Sequence, residues 1–275
     1  VVCQCRGAAA EQKKVIQVTD ALGRRLEIAT PAARLVVTIG QAAEIICALG
    51  GADKIVGVAD HIAEHNATLL GGLEGKPKVG QAAHLNLEKI IELHPDLVIA
   101  YDVWISEEAF EGKLAPLGIP VVRMSCYRTD RLDEEIPILG QIIGREKEAQ
   151  EYLNYFQSLV QEVKKRLSGL EKRVRLYVES FSAFATYSNQ GSAAKVFEGA
   201  GVDNIVADLP VPDPRVANEW VVAENPEVIV KVDTPTYVTM GYEAENLQQV
   251  IDFRHDLLRR PAWDQIDAVK KGKVF

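Results

Sequence analysis

The groups in this chain best suited to chemistry are aromatic, imidazole, amide and basic side chains in short polar segments that follow apolar runs. In the first half these are Gln41, His61, His84, Tyr101, Trp104, Tyr127 and Arg128. The second half contributes Phe181, Phe184, Tyr187, Asn189, Trp220, Lys231 and Tyr242. Flat rings with a polar tip suit the grip of a bulky, partly apolar molecule, and each is equally suited to packing in a core. Arg128 and Lys231 offer positive charge to a carboxylate or another anion, although a lysine at a strand end is ordinarily just solvated. Imidazoles raise metal coordination. His65 follows His61 at a spacing that would share one face of a helix, but the residues between show no convincing helical pattern. With no third ligand to complete a set, no metal site is assigned.

Covalent catalysis finds no support. There is no G-x-S-x-G elbow, no phosphate-cradling G-x-G-x-x-G, no Walker sequence, and no carboxylate pair that position alone would nominate. Cys47 falls on an apolar helical pattern and reads as a small buried hydrophobe. Cys126 follows a strand pattern, and no cysteine pair in the folded region has cluster spacing. No catalytic residue and no cofactor are expected. A net charge of −8 argues against nucleic acid as the partner, since such binders tend to be basic. No apolar run approaches the roughly eighteen residues a membrane span needs.

The elements that must position these groups alternate in type. Residues 15–28 read as an antiparallel pair turning at Asp20–Gly23. Apolar runs at 35–39, 54–58, 97–100 and 121–124 read as strands buried on both faces, with helices expected at 42–49, 86–93 and 106–114 between them. That alternation predicts a parallel sheet covered on both sides, with any ligand just beyond the carboxyl ends of the strands. A helix over 133–143 contains Pro137, so it either starts late, near Glu134, or is kinked. Residues 174–179 open a second β/α series, with a helix at 192–198. A polar insertion is expected from Thr234 to Asp256, then a short helix ending at Val269 and the start of a strand at Gly272–Phe275.

Between the two series, residues 145–170 contain Gly169 but no other glycine or proline, and apolar residues recur at steps of three and four from Ala149 to Leu170. One long helix is predicted there. The flanking halves also echo each other. Leu85–Asp102 and Val216–Asp233 align without gaps, matching Glu88 with Glu219, Pro95 with Pro226, Asp96 with Glu227 and Asp102 with Asp233. Each glutamate falls in a first helical turn, where negative charge suits the helix dipole. Two related lobes joined by the helix are the economical organisation. It comprises a flexible tether at 1–14, a lobe at 15–144, the connecting helix at 145–170 and a second lobe at 171–275.

Nearly the whole chain, from about Val15 to Phe275, resembles the helical-backbone (class III) substrate-binding proteins of ABC importers that capture ferric siderophores, haem and vitamin B12. The resemblance rests on RLVVTIGQAAEIICALGGADKIVGV, PKVGQAAHLNLEKIIELHPDLVIAY, LAPLGIPVV, ILGQIIGREKEAQ, ANEWVVAENPEVIV and PAWDQIDAVKKGKVF, in that order. It implies an α/β protein of two Rossmann-like lobes with a ligand cleft between them, and delivery of an unaltered cargo to a membrane permease dimer with its ATPase subunits. The implied cargo is an iron complex, a ferric siderophore before haem. A corrinoid carrier, or a ligand-sensing surface lipoprotein, is the alternative. Glu88 and Glu219 match the family's permease-docking glutamates. The family pattern continues into a closing helix after Lys273–Phe275. The resemblance further implies a monomer on the outer side of the cytoplasmic membrane, with Cys3 a candidate for a lipid anchor although Val1 and Val2 precede it.

Overall fold

The computed structural model describes residues 13–65, 71–103, 106–232 and 247–275. Trp104, Tyr242, Asp233, Cys3, Cys5 and the tether as far as residue 12 lie outside the described residues. The chain divides into two compact units, Val1–Tyr127 with Arg131–Asn154, and Arg128–Asp130 with Tyr155–Phe275.

In the first unit, β1 (Lys14–Thr19) and β2 (Arg25–Thr30) form the expected antiparallel pair. The main sheet contains β3 (Leu35–Val37), β4 (Ile55–Val58), β7 (Leu97–Tyr101) and β8 (Val121–Met124), all parallel, in the order β4-β3-β7-β8. Successive side chains of a strand point to opposite faces, so both faces must be covered. Val36, Val98, Ala100 and Val121 pack with Ile90 of α3 (Leu87–Glu92) and with Phe110 and Leu114 of α4 (Glu107–Leu114). Helices α1 (Gly40–Ala48) and α5 (Leu132–Ile143) also pack together in this unit.

The second unit repeats this arrangement. Its sheet places β10 (Asp203–Asn204) and β11 (Val228–Lys231) on either side of β9 (Arg175–Glu179), all parallel. Val274 bridges Ile229 in parallel, the position that Val121 holds against Val98 in the first unit. Tyr177, Val221, Ile229, Leu257, Trp263 and Ile266 form its main core, fed by α8 (Asn218–Glu224) and α9 (Leu247–Leu258). Helix α7 (Ala194–Ala200) adds Phe197 to a smaller cluster with Leu176 and Val178.

The sequence echo is also an echo of contacts. Asp96, one residue before β7, accepts the backbone N–H groups of Ala33 (2.7 Å) and Arg34 (3.0 Å) through Oδ2. Glu227, one residue before β11, accepts the Arg175 N–H at 3.1 Å. Lys13 pairs with Asp96, as Lys172 does with Glu227. Upstream, His94 and Asn225 each hold a left-handed backbone, with φ of 44° and 47°. Arg34 and Arg175 cap the carbonyls of Leu93 and Glu224, both at 2.6 Å, satisfying groups that a helix end leaves open.

The long helix predicted at 145–170 is α6 (Glu146–Leu167). Gly144, at φ 69°, ends α5 in the left-handed conformation that separates the two helices. Three expectations need correction. The late start near Glu134 does not occur: α5 starts at Leu132, with Asp133, Glu134 and Glu135 in its first turn and Pro137 inside it. Residues 60–65 do form a helix, α2 (Asp60–His65), which Ile62 anchors by full burial. The polar insertion ends sooner than Asp256, because α9 begins at Leu247.

Trp263 is fully buried and donates its indole N–H to Asn218 at 2.8 Å. Trp263→Ala is expected to lower stability by about 3–5 kcal/mol, measured by urea unfolding, through lost packing and an orphaned acceptor.

Candidate functional site

In each sheet the chain runs from a central strand to one neighbour and then to the other, creating a switch point between β3 and β7 and again between β9 and β11. Helices diverge at such a point, and the strand carboxyl ends open onto a crevice. Helices also begin at that edge, so their free N–H groups face it.

At the first switch point β3 leads into α1 and β7 ends at Tyr101. The Tyr101 hydroxyl is half-buried and accepts the Gly40 N–H; burial pushes it up, and that bond only partly offsets the effect. Its ring lies 6.0 Å from that of Tyr127 at 45°. Asp102 is the hub beneath them, accepting from Ser125 Oγ at 2.5 Å and from the Tyr127 hydroxyl at 3.0 Å. The Ser125 N–H is held by buried Glu135 at 2.7 Å. Burial pushes the Glu135 carboxyl up, against the Ser125 N–H, the Cys126 thiol and Arg131, which pull it down. Burial and Glu135 in turn push the Cys126 thiol well up, which leaves it a poor nucleophile.

The remaining first-unit candidates spread along the same chain segments. Gln41 is exposed in the first turn of α1, and His61 is half-buried on α2. His84 is exposed on the short strand β6 (His84–Leu85), which pairs with β5 (Gly80–Gln81). Among the described residues, no group of three or more His, Cys, Asp or Glu could hold a metal ion.

The second switch point is built around a buried charge. Glu179, at the end of β9, has no exposed surface and takes a two-pronged bond from Arg260 at 2.6 and 2.9 Å. Lys231, at the end of β11, lies 3.2 Å from the same carboxylate. The Tyr177 hydroxyl donates to it at 3.3 Å. Burial pushes the Glu179 carboxyl up, but Arg260, the Phe184 N–H and Lys231 outweigh that and leave it below its ordinary value. The Arg260 guanidinium lies over two rings, Phe184 at 4.4 Å and Trp263 at 4.7 Å.

Around this cluster folds the segment Ser180–Tyr187. Phe181 is exposed, Tyr187 reaches Ser180 Oγ at 2.9 Å, and Phe184 takes a left-handed backbone at φ 61°. Trp220 is half-buried against the main core of the unit. Arg128 pairs with Asp130 at 2.8 Å. Asn189 lines a separate groove of about 290 Å³ beside α7 and β10, with Arg173, Lys195, Glu198, Asp203 and Asn204. The structure thus gathers Tyr101 with Tyr127, and Phe184 and Lys231 around Glu179, while Tyr187 packs with the smaller cluster of Leu176 and Val178 and Phe181 stays exposed. Glu88 and Glu219 are both exposed in the first turns of α3 and α8.

Sequence reasoning passed over Glu179 and Arg260, which are 81 residues apart. The available signal was an acidic residue closing an apolar strand, Leu176-Tyr177-Val178-Glu179.

Two parallel-sheet units with this strand order define a class of ligand-carrying α/β proteins, and the chain belongs to the periplasmic binding protein family, which matches residues 35–275. A vitamin B12-binding protein of Vibrio cholerae is 27% identical over 88% of each chain. An uncharacterised ABC transporter substrate-binding lipoprotein of Bacillus subtilis is 26% identical, over 94% of this chain and 77% of its own. Among solved structures, the molybdate periplasmic binding protein of Haemophilus influenzae superposes with a TM-score of 0.75 at 23% identity, over 94% of this chain and 82% of its own.

Because the folded pKa of Glu179 is depressed, its contribution is complete above about 4.5 and is lost as pH falls through the folded value. Glu179→Gln should cost roughly 3–5 kcal/mol at neutral pH, because two buried cations lose their partner. The gap from the parent protein, followed by urea unfolding against pH, should narrow below about 4.5.

Proposed function

We propose that this protein is the extracytoplasmic substrate-binding component of an ABC importer, which takes up a metal chelate at the carboxyl edges of its sheets and delivers it unaltered. The observation that carries this reading is the pairing of a switch-point edge with aromatic groups in each unit: Tyr101 and Tyr127 in one, Phe181 and Tyr187 in the other. Such edges suit a large, partly apolar ligand. The relatives named for vitamin B12 favour a corrinoid ahead of the ferric siderophore or haem that the sequence suggested first. The lipoprotein name of the Bacillus subtilis relative supports an outer-surface location. Among the described residues, no helix is long and apolar enough to cross a membrane.

Glu88 and Glu219 suit the docking role. They are exposed, occupy the same repeat position, and sit on helices of separate units. A negative charge there also suits its own helix, a contribution of about 0.3–1 kcal/mol that docking does not require it to lose.

Titration of the purified protein with cyanocobalamin, haemin and a ferric siderophore, followed by tryptophan quenching, should give saturable binding of one class, the corrinoid first. No response to any of the three overturns the reading. In a reconstituted transporter, Glu88→Ala with Glu219→Ala should leave cargo affinity unchanged and abolish delivery.

A further inference from the structure

We infer that Lys231 is a positioning residue: it ties the Ser180–Tyr187 segment from inside the second unit so that the aromatic rings are presented in place, and it does not touch cargo. This rests on the reading of that segment as part of the cargo site.

The first support is that its ammonium is enclosed, hydrogen-bonded to two carbonyls and ion-paired to a carboxylate. The Lys231 ammonium carries three N–H groups, and three acceptors surround it: Glu179 Oε1 at 3.2 Å, the Ser180 carbonyl, and the Phe181 carbonyl at 3.2 Å. Its side chain is only 7% exposed, and that number decides the matter, because a cation meeting an anionic ligand needs a free face. The second support is where the bonds go. Two of the three acceptors are backbone carbonyls of consecutive residues leaving β9, so the ammonium fixes the direction in which the chain departs. Phe181, on that second carbonyl, is the exposed ring.

The far end of the segment is held separately, by bridging of Ala185 to Arg215 and by the Thr186 N–H on the Pro214 carbonyl and the Val216 N–H on the Phe184 carbonyl, so the part left to Lys231 is the exit from β9. The Ser180 N–H donates to the Ala185 carbonyl at 2.7 Å, closing the turn, and the Ala185 N–H donates to Ser182 at 3.2 Å. Ser180 Oγ meets the Tyr187 hydroxyl at 2.9 Å, and Thr186 Oγ1 returns to the Val178 carbonyl at 2.6 Å. Arg260, stacked on Phe184, secures the middle. A loop held in its bound shape binds with less ordering cost.

Lys231→Met tests this, since it keeps side-chain length, removes all three ties and leaves Glu179 paired with Arg260. Amide hydrogen exchange of the unliganded protein should rise about tenfold or more at Ser180 and Ala185, roughly what losing a tie implies, and stay unchanged at Tyr177 and Ile229. Cyanocobalamin, followed by tryptophan quenching, should associate more slowly with the variant than with the parent. Unchanged exchange at Ser180 and Ala185 with weakened cobalamin binding would make Lys231 a direct contact and overturn the inference. A rise spread evenly over the whole unit would also overturn it, by making the lysine a general stabiliser. Should the methionine variant fail to fold, Lys231→Gln, which keeps an amide donor, is read by the same two measurements. If the parent protein binds no cobalamin while the loop loosens as expected, the cargo assignment fails and the positioning role stands.

Discussion

A carboxylate placed one residue ahead of a strand sets the register on which both units depend. Asp96 grips the N–H groups that open β3, and Glu227 grips the one that opens β9. Each fixes the start of an inner strand against that of its neighbour. Parallel strands have no tight turn between them to set their relative height, so some other contact must do so. With the amino ends level, the carboxyl ends emerge level too. Only then can Tyr101 meet Gly40, or Lys231 meet Glu179. A one-residue slip would turn every side chain of the strand to the other face. The arginines that cap the preceding helices, Arg34 and Arg175, add a second grip at the same edge.

On this common frame the two working edges have taken up different chemistry. The first sets two tyrosine rings beside an aspartate that accepts from two hydroxyls. The second encloses a carboxylate with two cations and seals it under aromatic rings. Isolated buried charge is costly, and the cluster is tolerable because Glu179 meets Arg260, Lys231, the Tyr177 hydroxyl and the Phe184 N–H, while Arg260 lies over two rings as well as being paired.

The parts of this arrangement visible in the amino-acid sequence are those that repeat locally. Helix α6 could be read from the near absence of breaking residues and the spacing of its apolar positions. The strands could be read as apolar runs, and the duplication from Glu88 and Glu219 standing in one frame with Pro95 and Pro226. Helix α2 was not legible: among its described side chains only Ile62 is buried, and one apolar side chain makes no pattern. For α5, the late start that Pro137 suggested lost to the burial of Ile136, Leu139, Ile142 and Ile143 on either side of it. The Glu179–Arg260 pair was out of reach because it joins residues that only tertiary folding brings together. The type of Lys231 was plain, but whether its ammonium turned outward or inward was not.

The backbone at Phe184 carries one more consequence. A phenylalanine at φ 61° lies in a region where its Cβ crowds its own chain, at a cost of order 1–2 kcal/mol. Left alone, that residue would relax to an ordinary right-handed or extended state, and its ring would swing off the guanidinium it now covers. The observed state endures because its surroundings over-determine it: the ring is stacked on Arg260 and the backbone on either side is hydrogen-bonded, so the strain at this one residue is carried by the packing around it.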